Sequence, residues 1–429
     1  MRVEPARLAG SLTPPPDKSI SHRAFLLGAM SDGEVRVRNA LRAEDTASTL
    51  AATVVLGAEV AHEQPSGART DLTLRGVGLR GATEAPTAID VGNAGTLLRI
   101  LPGWLAGQPG RSWTLDGDES IRERPVDRVA EPLRLMGATV DCREDRLPPL
   151  TVEGAELQGV RYELPVASAQ VKSCVLLAGL LAHGETVVVE PTRSRDHTER
   201  MLVAAGAKLT SDEGKVSVGE TERLELDEVV VPGDFSSAAF WIAAATLVPG
   251  SELRLVEVGL NPTRIGLLRV IERMGGAVVV EGRRMVGMEP VAELVVHPAS
   301  LRATSVEADE VPLLIDELPL VALLGAFAEG TTKVTGAAEL RHKESDRIAT
   351  VVDGLRALGA QIEAHADGFE VQGGGQLRGG ALFAARDHRL AMLGAVAGLA
   401  SREGVEVRDA EAANVSYPGF FDDLALLTP

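Results

Sequence analysis

The sequence predicts an α/β protein of two similar globules, each made of three copies of one helix-on-sheet unit. Three observations carry this. The chain has 429 residues, too many for one ordinary core. One phrase recurs six times: a polar start, an apolar stretch of about 12 to 15 residues, a turn glycine, then a β-branched strand. A second phrase interleaves with it: an amphipathic stretch, then Gly-Ala or Gly-Gly, then a strand.

The six copies of the first phrase start at Lys18, Asn93, Ala169, Ser236, Glu317 and His388. Their apolar runs, such as SCVLLAGLLA and SSAAFWIAAATL, are apolar on every side and predict buried helices. The turn glycines are Gly33, Gly110, Gly184, Gly250, Gly330 and Gly404, each read as the left-handed residue that ends a helix. The second phrase appears at Gly57-Ala58, Gly137-Ala138, Gly206-Ala207, Gly275-Gly276 and Gly359-Ala360. Its helices, such as DRIATVVDGLRALGA, carry charge on one face and predict solvent-facing layers. A sixth copy of the second phrase is replaced by SYPGFFDDLALL at the C-terminus. The period of roughly 66 to 80 residues is far longer than that of solenoid repeats. Each unit has enough helix and strand for one helix-on-sheet layer.

Composition narrows the function. A net charge of -18 argues against nucleic acid as a partner. It leaves room for small anions held in a local basic pocket. Cys142 and Cys174 form no disulfide framework and no metal-ligand spacing, and Cys174 reads as a core residue. The histidines stand isolated, so no metal site is expected. No apolar run is long enough for a membrane span and the N-terminus has no signal-peptide core, so a soluble cytoplasmic protein is expected.

Repeat symmetry predicts that the buried helices run parallel, with their N-termini toward a shared cleft. Helix N-termini offer free N–H groups and a positive dipole end to anions. The polar residues collect there. The first helix has Asp17, Lys18, Ser19 and Arg23. The second has Gly92-Asn93-Ala94-Gly95-Thr96 and then Arg99, where a tight turn would serve as an explanation too. The third has Ser168-Ala169-Gln170 and Lys172; the fourth has Asp234 and Ser236-Ser237, which suit an ordinary cap or hinge. The sixth has Asp387-His388-Arg389. The fifth begins with Asp316 and Glu317, one of which a helix cap explains. It is followed by Lys343, Glu344 and Arg347, spaced to share a helical face. A solvated helix start would account for that cluster alone; a grip on an anion by Lys343 and Arg347, with Glu344 moving a proton, is the alternative. Between the helices, Arg122, Arg124 and Arg128 flank Pro125, expected at a helix's first position, and Ser194, Arg195 and His197 precede an amphipathic helix.

With these stretches assembled, the chain resembles the 5-enolpyruvylshikimate-3-phosphate synthase family, the 3-phosphoshikimate 1-carboxyvinyltransferases. The resemblance rests on DKSISHRA, GNAGT, RERPVDR, SAQVKS, SRDHTERML, GDFSSAAF, HKESDR, DHRLAM and YPGFF, in this order over nearly the whole chain. SISHRA, SAQVKS and SRDHTER look like the bacterial class II branch. The resemblance implies a two-domain inside-out α/β barrel of six βαβαββ repeats, three per domain. It implies a lower domain at 15–231, an upper domain of 1–14 plus 232–429, and an active site in the interdomain cleft that closes on substrate.

The activity it implies joins phosphoenolpyruvate to shikimate 3-phosphate through a tetrahedral intermediate, releasing phosphate, with no cofactor and no metal, in a monomer. Carried over by motif, Lys18, Ser19, Arg23, Ser168, Ala169, Gln170, Ser194, Asp316 and Lys343 hold shikimate 3-phosphate. Lys18, Gly95, Arg124, Gln170, Arg347 and Arg389 hold phosphoenolpyruvate. Asp316, Glu344 and Lys18 form the catalytic set, with Asp316 as base for the 5-hydroxyl and Glu344 as acid and base at C3. Gly95 leaves room for the inhibitor glyphosate, which implies sensitivity to it. Four positions depart from the family pattern and carry no site: Pro16, Glu339, His197 and Val415. A sister enolpyruvyl transferase acting on UDP-N-acetylglucosamine carries a loop cysteine where this chain has Glu119. A non-catalytic anion-binding scaffold is the rival of another class, and it gains nothing from Asp316 and Glu344 beside the bound anion.

Overall fold

A computed structural model of the chain describes residues 1–428. The chain forms two compact units: residues 16–231 with 286–288, and residues 1–15, 232–285 and 289–429.

In the first unit, six helices occur as three pairs. They are α1 (Lys18–Met30) and α2 (Glu44–Val55), α3 (Gly95–Ala106) and α4 (Asp127–Met136), and α5 (Ala169–Gly179) and α6 (His197–Ala204). α1, α3 and α5 are buried nearly throughout. They close in tightly: a Cβ on Gly103 of α3 would lie 2.1 Å from the Cys174 carbonyl of α5, so only glycine fits there. Each buried helix packs on its own four-stranded sheet. Strand Ile89–Asp90 pairs parallel with Ser112–Asp116 across α3, and Leu147–Glu153 and Thr139–Arg143 then add antiparallel. Arg161–Glu163, Glu185–Val189, Lys215–Gly219 and Leu209–Asp212 repeat this order around α5. Each is a βαβαββ unit. The sheet around α1 has the same order, but its first strand, Glu228–Val230, arrives from the far end of the unit and pairs parallel with Glu34–Leu41. Strands such as Glu34–Leu41 alternate exposed and buried, so each sheet turns one face to the helices and one to water.

The second unit repeats the plan with α7 (Phe235–Leu247), α8 (Gly266–Arg273), α9 (Leu318–Phe327), α10 (Arg347–Ala357) and α11 (His388–Ala400). α7, α9 and α11 are the buried set. The sheet around α7 takes its first strand, Ala9–Leu12, from the N-terminus, parallel to Glu252–Gly259. The sixth repeat is shortened: Gly380–Phe383 and Val405–Arg408 pair parallel, and Arg2–Val3 completes a three-stranded sheet. Its second helix and hairpin are replaced by a 3₁₀ turn at Ala410–Val415 and α12 (Phe420–Leu427). There Trp241, Tyr417 and Phe420 pack together, and the Trp241 indole donates to the Tyr417 hydroxyl at 3.1 Å.

All six turn glycines of the first phrase have left-handed φ, from 74° to 103°. They do not end the helices as expected: each lies two or more residues beyond the helix, in the turn just before the strand. The glycines of the second phrase do take the left-handed helix-ending place, as at Gly137 with φ 111°. Pro125 stands outside α4, which starts at Asp127, so it does not fill the first helical position. No helix is long and apolar enough to cross a membrane among the described residues.

Candidate active site

The buried helices begin with charged and polar side chains in both units. In the first unit Asp17 caps α1, accepting from the Ile20 N–H at 2.9 Å. That cap turns Lys18 and Ser19 onto the first turn. Lys18 Nζ donates to Asp45 Oδ2 of α2 at 2.8 Å, and both are largely buried. Arg23, one turn on and 4% exposed, is held by groups from three elements. It donates from Nε to Thr198 Oγ1 (2.7 Å), from Nη1 to the Ser19 carbonyl (3.0 Å), and from Nη2 to Ser173 Oγ (3.1 Å). Ser173 in turn donates to the Ala169 carbonyl at 2.6 Å, tying Arg23 to the start of α5. Ser168 caps α5 by accepting from the Val171 N–H. Between Lys18 and Arg23 sits His22, fully buried, its ring nitrogen Nδ1 2.6 Å from Thr49 Oγ1. Burial first, then the Lys18 and Arg23 charges, hold His22 well below the ordinary histidine value.

A second group in this unit joins α3, α5 and the loop before α4. Gln170 accepts from Arg99 Nη1 and donates to Thr96 Oγ1, each at 3.1 Å. Arg124 Nη2 donates to Asn93 Oδ1 at 2.8 Å and to Ser120 Oγ at 3.2 Å. Gly95 opens α3 beneath these arginines: a Cβ there would stand 2.8 Å from Arg124 Nη1 and 3.4 Å from Arg99 Nη1. Ser194 is buried on the loop before α6, with its hydroxyl donating to Glu190.

In the second unit Asp316, Lys343, Glu344, Arg347 and Arg389 come together. Arg347 is 1% exposed and surrounded by acids. Its Nε donates to Asp387 Oδ2 at 2.8 Å, its Nη2 to Glu344 Oε2 at 2.6 Å, and its Nη1 to Asp316 Oδ1 at 3.4 Å. Burial alone would lower its pKa; the charges of Asp387, Glu344 and Asp316 outweigh it and raise the value. Arg389 Nη2 lies 3.4 Å from Asp316 Oδ2, and its Nη1 donates to the Asp316 carbonyl at 3.1 Å. Lys343 Nζ is 3.8 Å from Asp316 Oδ1. Two acids that can move protons thus share a guanidinium, with two more cations at hand.

Two expectations about this cluster are corrected. Lys343 and Glu344 do not share a helical face with Arg347. Lys343 is extended after a 3₁₀ turn at Ala338–His342, and α10 opens only at Arg347, capped by Asp346. Asp346 takes the first-turn N–H groups of Ile348 and Ala349, so the helix starts there. Nor is the expected acid cap made by a side chain: Glu317 takes the N-cap position of α9 without a side-chain capping hydrogen bond. Asp316 faces cations, while Glu317 is buried and accepts from the Ser236 hydroxyl. Asp234 does cap α7, accepting from the N–H groups of Ser236 and Ser237. Sequence reasoning passed over the groups that hold the first unit's site residues: Asp45 at Lys18, Thr198 at Arg23, Glu190 at Ser194, and Glu199 at Lys172. Each lies on an α2 or α6 type element or at a strand end, where an acid or hydroxyl reads as ordinary surface.

A model of the EPSP synthase (3-phosphoshikimate 1-carboxyvinyltransferase) family matches residues 3–424. The chain belongs to that family. It is 48% identical to the 3-phosphoshikimate 1-carboxyvinyltransferase of Synechococcus sp. (strain JA-3-3Ab), over 100% of this chain and 96% of the relative. It is 46% identical to the enzyme of that name from Bacillus subtilis (strain 168), over 98% and 97%. The EPSP synthase structure from Acinetobacter baumannii superposes with a TM-score of 0.87 at 38% identity, covering 100% and 98% of the two chains. The enolpyruvyl transferase NikO from Streptomyces tendae, at 20% identity and TM-score 0.76, shares the fold. The two-domain inside-out α/β architecture of the EPSP synthases is therefore that of this chain, and the chain is a transferase.

Proposed function

We propose that this chain transfers the enolpyruvyl group of phosphoenolpyruvate to the 5-hydroxyl of shikimate 3-phosphate, in the shikimate pathway to chorismate and the aromatic amino acids. The observation that carries the catalytic reading is the pair Asp316 and Glu344 on the one buried guanidinium of Arg347. An anion that takes Arg347 and Arg389 frees Asp316 as a carboxylate base and, by drawing Arg347 from Glu344, lets Glu344 start in its protonated, acid form. Asp316 accepts the proton of the 5-hydroxyl as its oxygen bonds to C2, while Glu344 gives a proton to C3. The C2–O bond to phosphate then breaks as the departing phosphate oxygen takes up the proton held by Asp316, and C3 returns a proton to Glu344; this leaves the vinyl ether, inorganic phosphate and both acids in their starting states.

The remaining groups bind. Shikimate 3-phosphate is assigned to Lys18, Ser19, Arg23, Ser168, Ala169, Gln170, Ser194, Asp316 and Lys343. Phosphoenolpyruvate is assigned to Lys18, Gly95, Arg124, Gln170, Arg347 and Arg389. Forked guanidiniums suit phosphate and carboxylate oxygens, and Lys18 adds a point charge. The reading draws on groups of both units. No three His, Cys, Asp or Glu side chains gather as a metal site would need among the described residues. Both cysteines are free thiols, and burial pushes Cys174 up, so it stays unreactive. Free thiols suit the reducing cytoplasm, where we place the enzyme as a monomer.

The test is phosphate release from purified protein given both substrates, with chelator present. Release is expected only with both. Glu344→Gln and Asp316→Ala are each expected to lower kcat by about 100-fold or more, the usual worth of a positioned acid or base. Release with UDP-N-acetylglucosamine in place of shikimate 3-phosphate would overturn the substrate assignment.

A further inference from the structure

Below the first turn of α5 lies a set of buried groups with no part in the reading above. Lys172 is 1% exposed, and its three ammonium hydrogens have three acceptors. These are Glu190 Oε2 at 2.8 Å, Glu199 Oε1 at 2.6 Å and the Ser194 carbonyl at 3.4 Å. Glu190 uses its other oxygen, Oε1, to accept from the Ser194 N–H at 3.2 Å and from the Ser194 hydroxyl. Every polar group of Ser194 is therefore held by Lys172 or by its partner. The Lys172 N–H also donates to the Ser168 carbonyl at 3.0 Å. One residue thus links the turn bearing Ser168, Ala169 and Gln170 to the loop bearing Ser194.

We propose that Lys172, through Glu190, is a positioning residue for shikimate 3-phosphate. It fixes Ser194 against the start of α5 so that both reach the same ligand. The proposal rests on the assignment of Ser194 to that substrate. A buried ammonium with this much desolvation is retained only with close partners, and here the partners are the groups that set one loop residue. Since the Ser194 hydroxyl donates to Glu190 Oε1, Ser194 donates to an anion only by turning away. Lys172 draws the Glu190 charge toward itself and makes that turn easier. Lys172 touches no substrate in this account; its effect runs through Ser194.

A double-mutant cycle decides it. Binding of shikimate 3-phosphate is measured by calorimetry for wild type, Lys172→Met, Ser194→Ala and the pair. Lys172→Met is expected to weaken binding by about 10-fold or more, as loss of a charged hydrogen-bond anchor does. In the Ser194→Ala background the same change is expected to cost less than about 3-fold. The KM for phosphoenolpyruvate is expected to move by less than about 3-fold. A Lys172→Met effect of the same size in both backgrounds, or equal losses for both substrates, would show a merely structural role and overturn the proposal. Should Lys172→Met not fold, Lys172→Met/Glu199→Gln carries the same cycle, because it removes the ammonium together with one of its two buried carboxylates. Glu199 suits that exchange: burial raises its pKa against the opposing pull of Lys172, and its Oε2 is buried with no hydrogen-bond partner. Wild type that fails to bind shikimate 3-phosphate overturns the site reading itself; wild type that binds while Ser194→Ala binds equally well overturns the assignment of Ser194, and this proposal with it.

Discussion

His22 shows the cost of crowding cations at a buried helix start. It lies one turn from Lys18 and beside Arg23, with no exposure to water. Its folded value is depressed by burial and by those charges, whereas the unfolded chain titrates it near the ordinary 6.5. Below that pH the unfolded state binds the proton and the folded state resists it, so stability rises with pH and is lost as pH falls. His22 alone contributes a slope that approaches about 1.4 kcal/mol per pH unit once the pH is about a unit or more below its unfolded value. His22→Gln, which keeps a hydrogen-bonding group toward Thr49, should therefore flatten the pH dependence between about pH 6.5 and 5. Thermal midpoints measured across that range check it; parallel curves for the two proteins would exclude His22 as the source. Arg347 is the opposite case. Its buried charge is stabilised by Asp387, Glu344 and Asp316, so it stays protonated at any pH the fold survives.

At the level of elements, the N-terminus of α3 makes the most exact demand on sequence. Gly95 opens the helix, and its missing Cβ is space taken by Arg124 and Arg99. Gly95 has no left-handed φ, so alanine there strains no backbone. Its contact would be with the far end of a flexible arginine, which can shift. Gly95→Ala should thus fold at least as well as wild type but push Arg124 out of place. A displacement of this kind should raise the KM for phosphoenolpyruvate by about 10-fold or more, with a smaller effect on shikimate 3-phosphate. Glyphosate inhibition should weaken in parallel, which kinetics at varied phosphoenolpyruvate would read. The element pattern was legible because it is local: apolar runs, turn glycines and amphipathic runs are set by residues a few positions apart. The candidate site was legible for the same reason at Lys18, Arg23, Gly95 and Arg389, charges or glycines that look out of place in apolar helix starts, and at Arg347 from the charge cluster Lys343–Arg347 just before an amphipathic helix. What holds them was not. The partners of Lys18 and Lys172 lie on other elements, and nothing in the local sequence marks Asp45 or Glu190 as facing them. The 3₁₀ turn before Lys343 escaped too, because the spacing of Lys343, Glu344 and Arg347 fits a helix that Asp346 caps only from Arg347 onward.

For the molecule as a whole, the crossing of the chain between units decides which pieces can fold. Residues 16–231 contain every strand of their three sheets, including Glu228–Val230, which returns to pair with Arg36–Arg38. The other unit is discontinuous. Ala9–Leu12 pairs with Glu252–Leu255, and Arg2–Val3 pairs with Val405–Glu406. Val3, Leu8 and Leu12 belong to its core. Nothing in the strand patterns announces these pairings, since a strand's partner several hundred residues away leaves no mark on its own alternation. A fragment of residues 16–231 should therefore melt cooperatively on its own. A fragment of residues 232–429 would lack two sheet edges and three core side chains, a loss of roughly 5 kcal/mol or more from apolar burial alone. That is comparable to the whole stability of an ordinary domain, so this fragment should lack a cooperative transition. A peptide of residues 1–15 added in trans should restore one, with a midpoint that rises with peptide concentration. A cooperative melt of the 232–429 fragment without the peptide would show that the N-terminal strands decorate this unit rather than complete it.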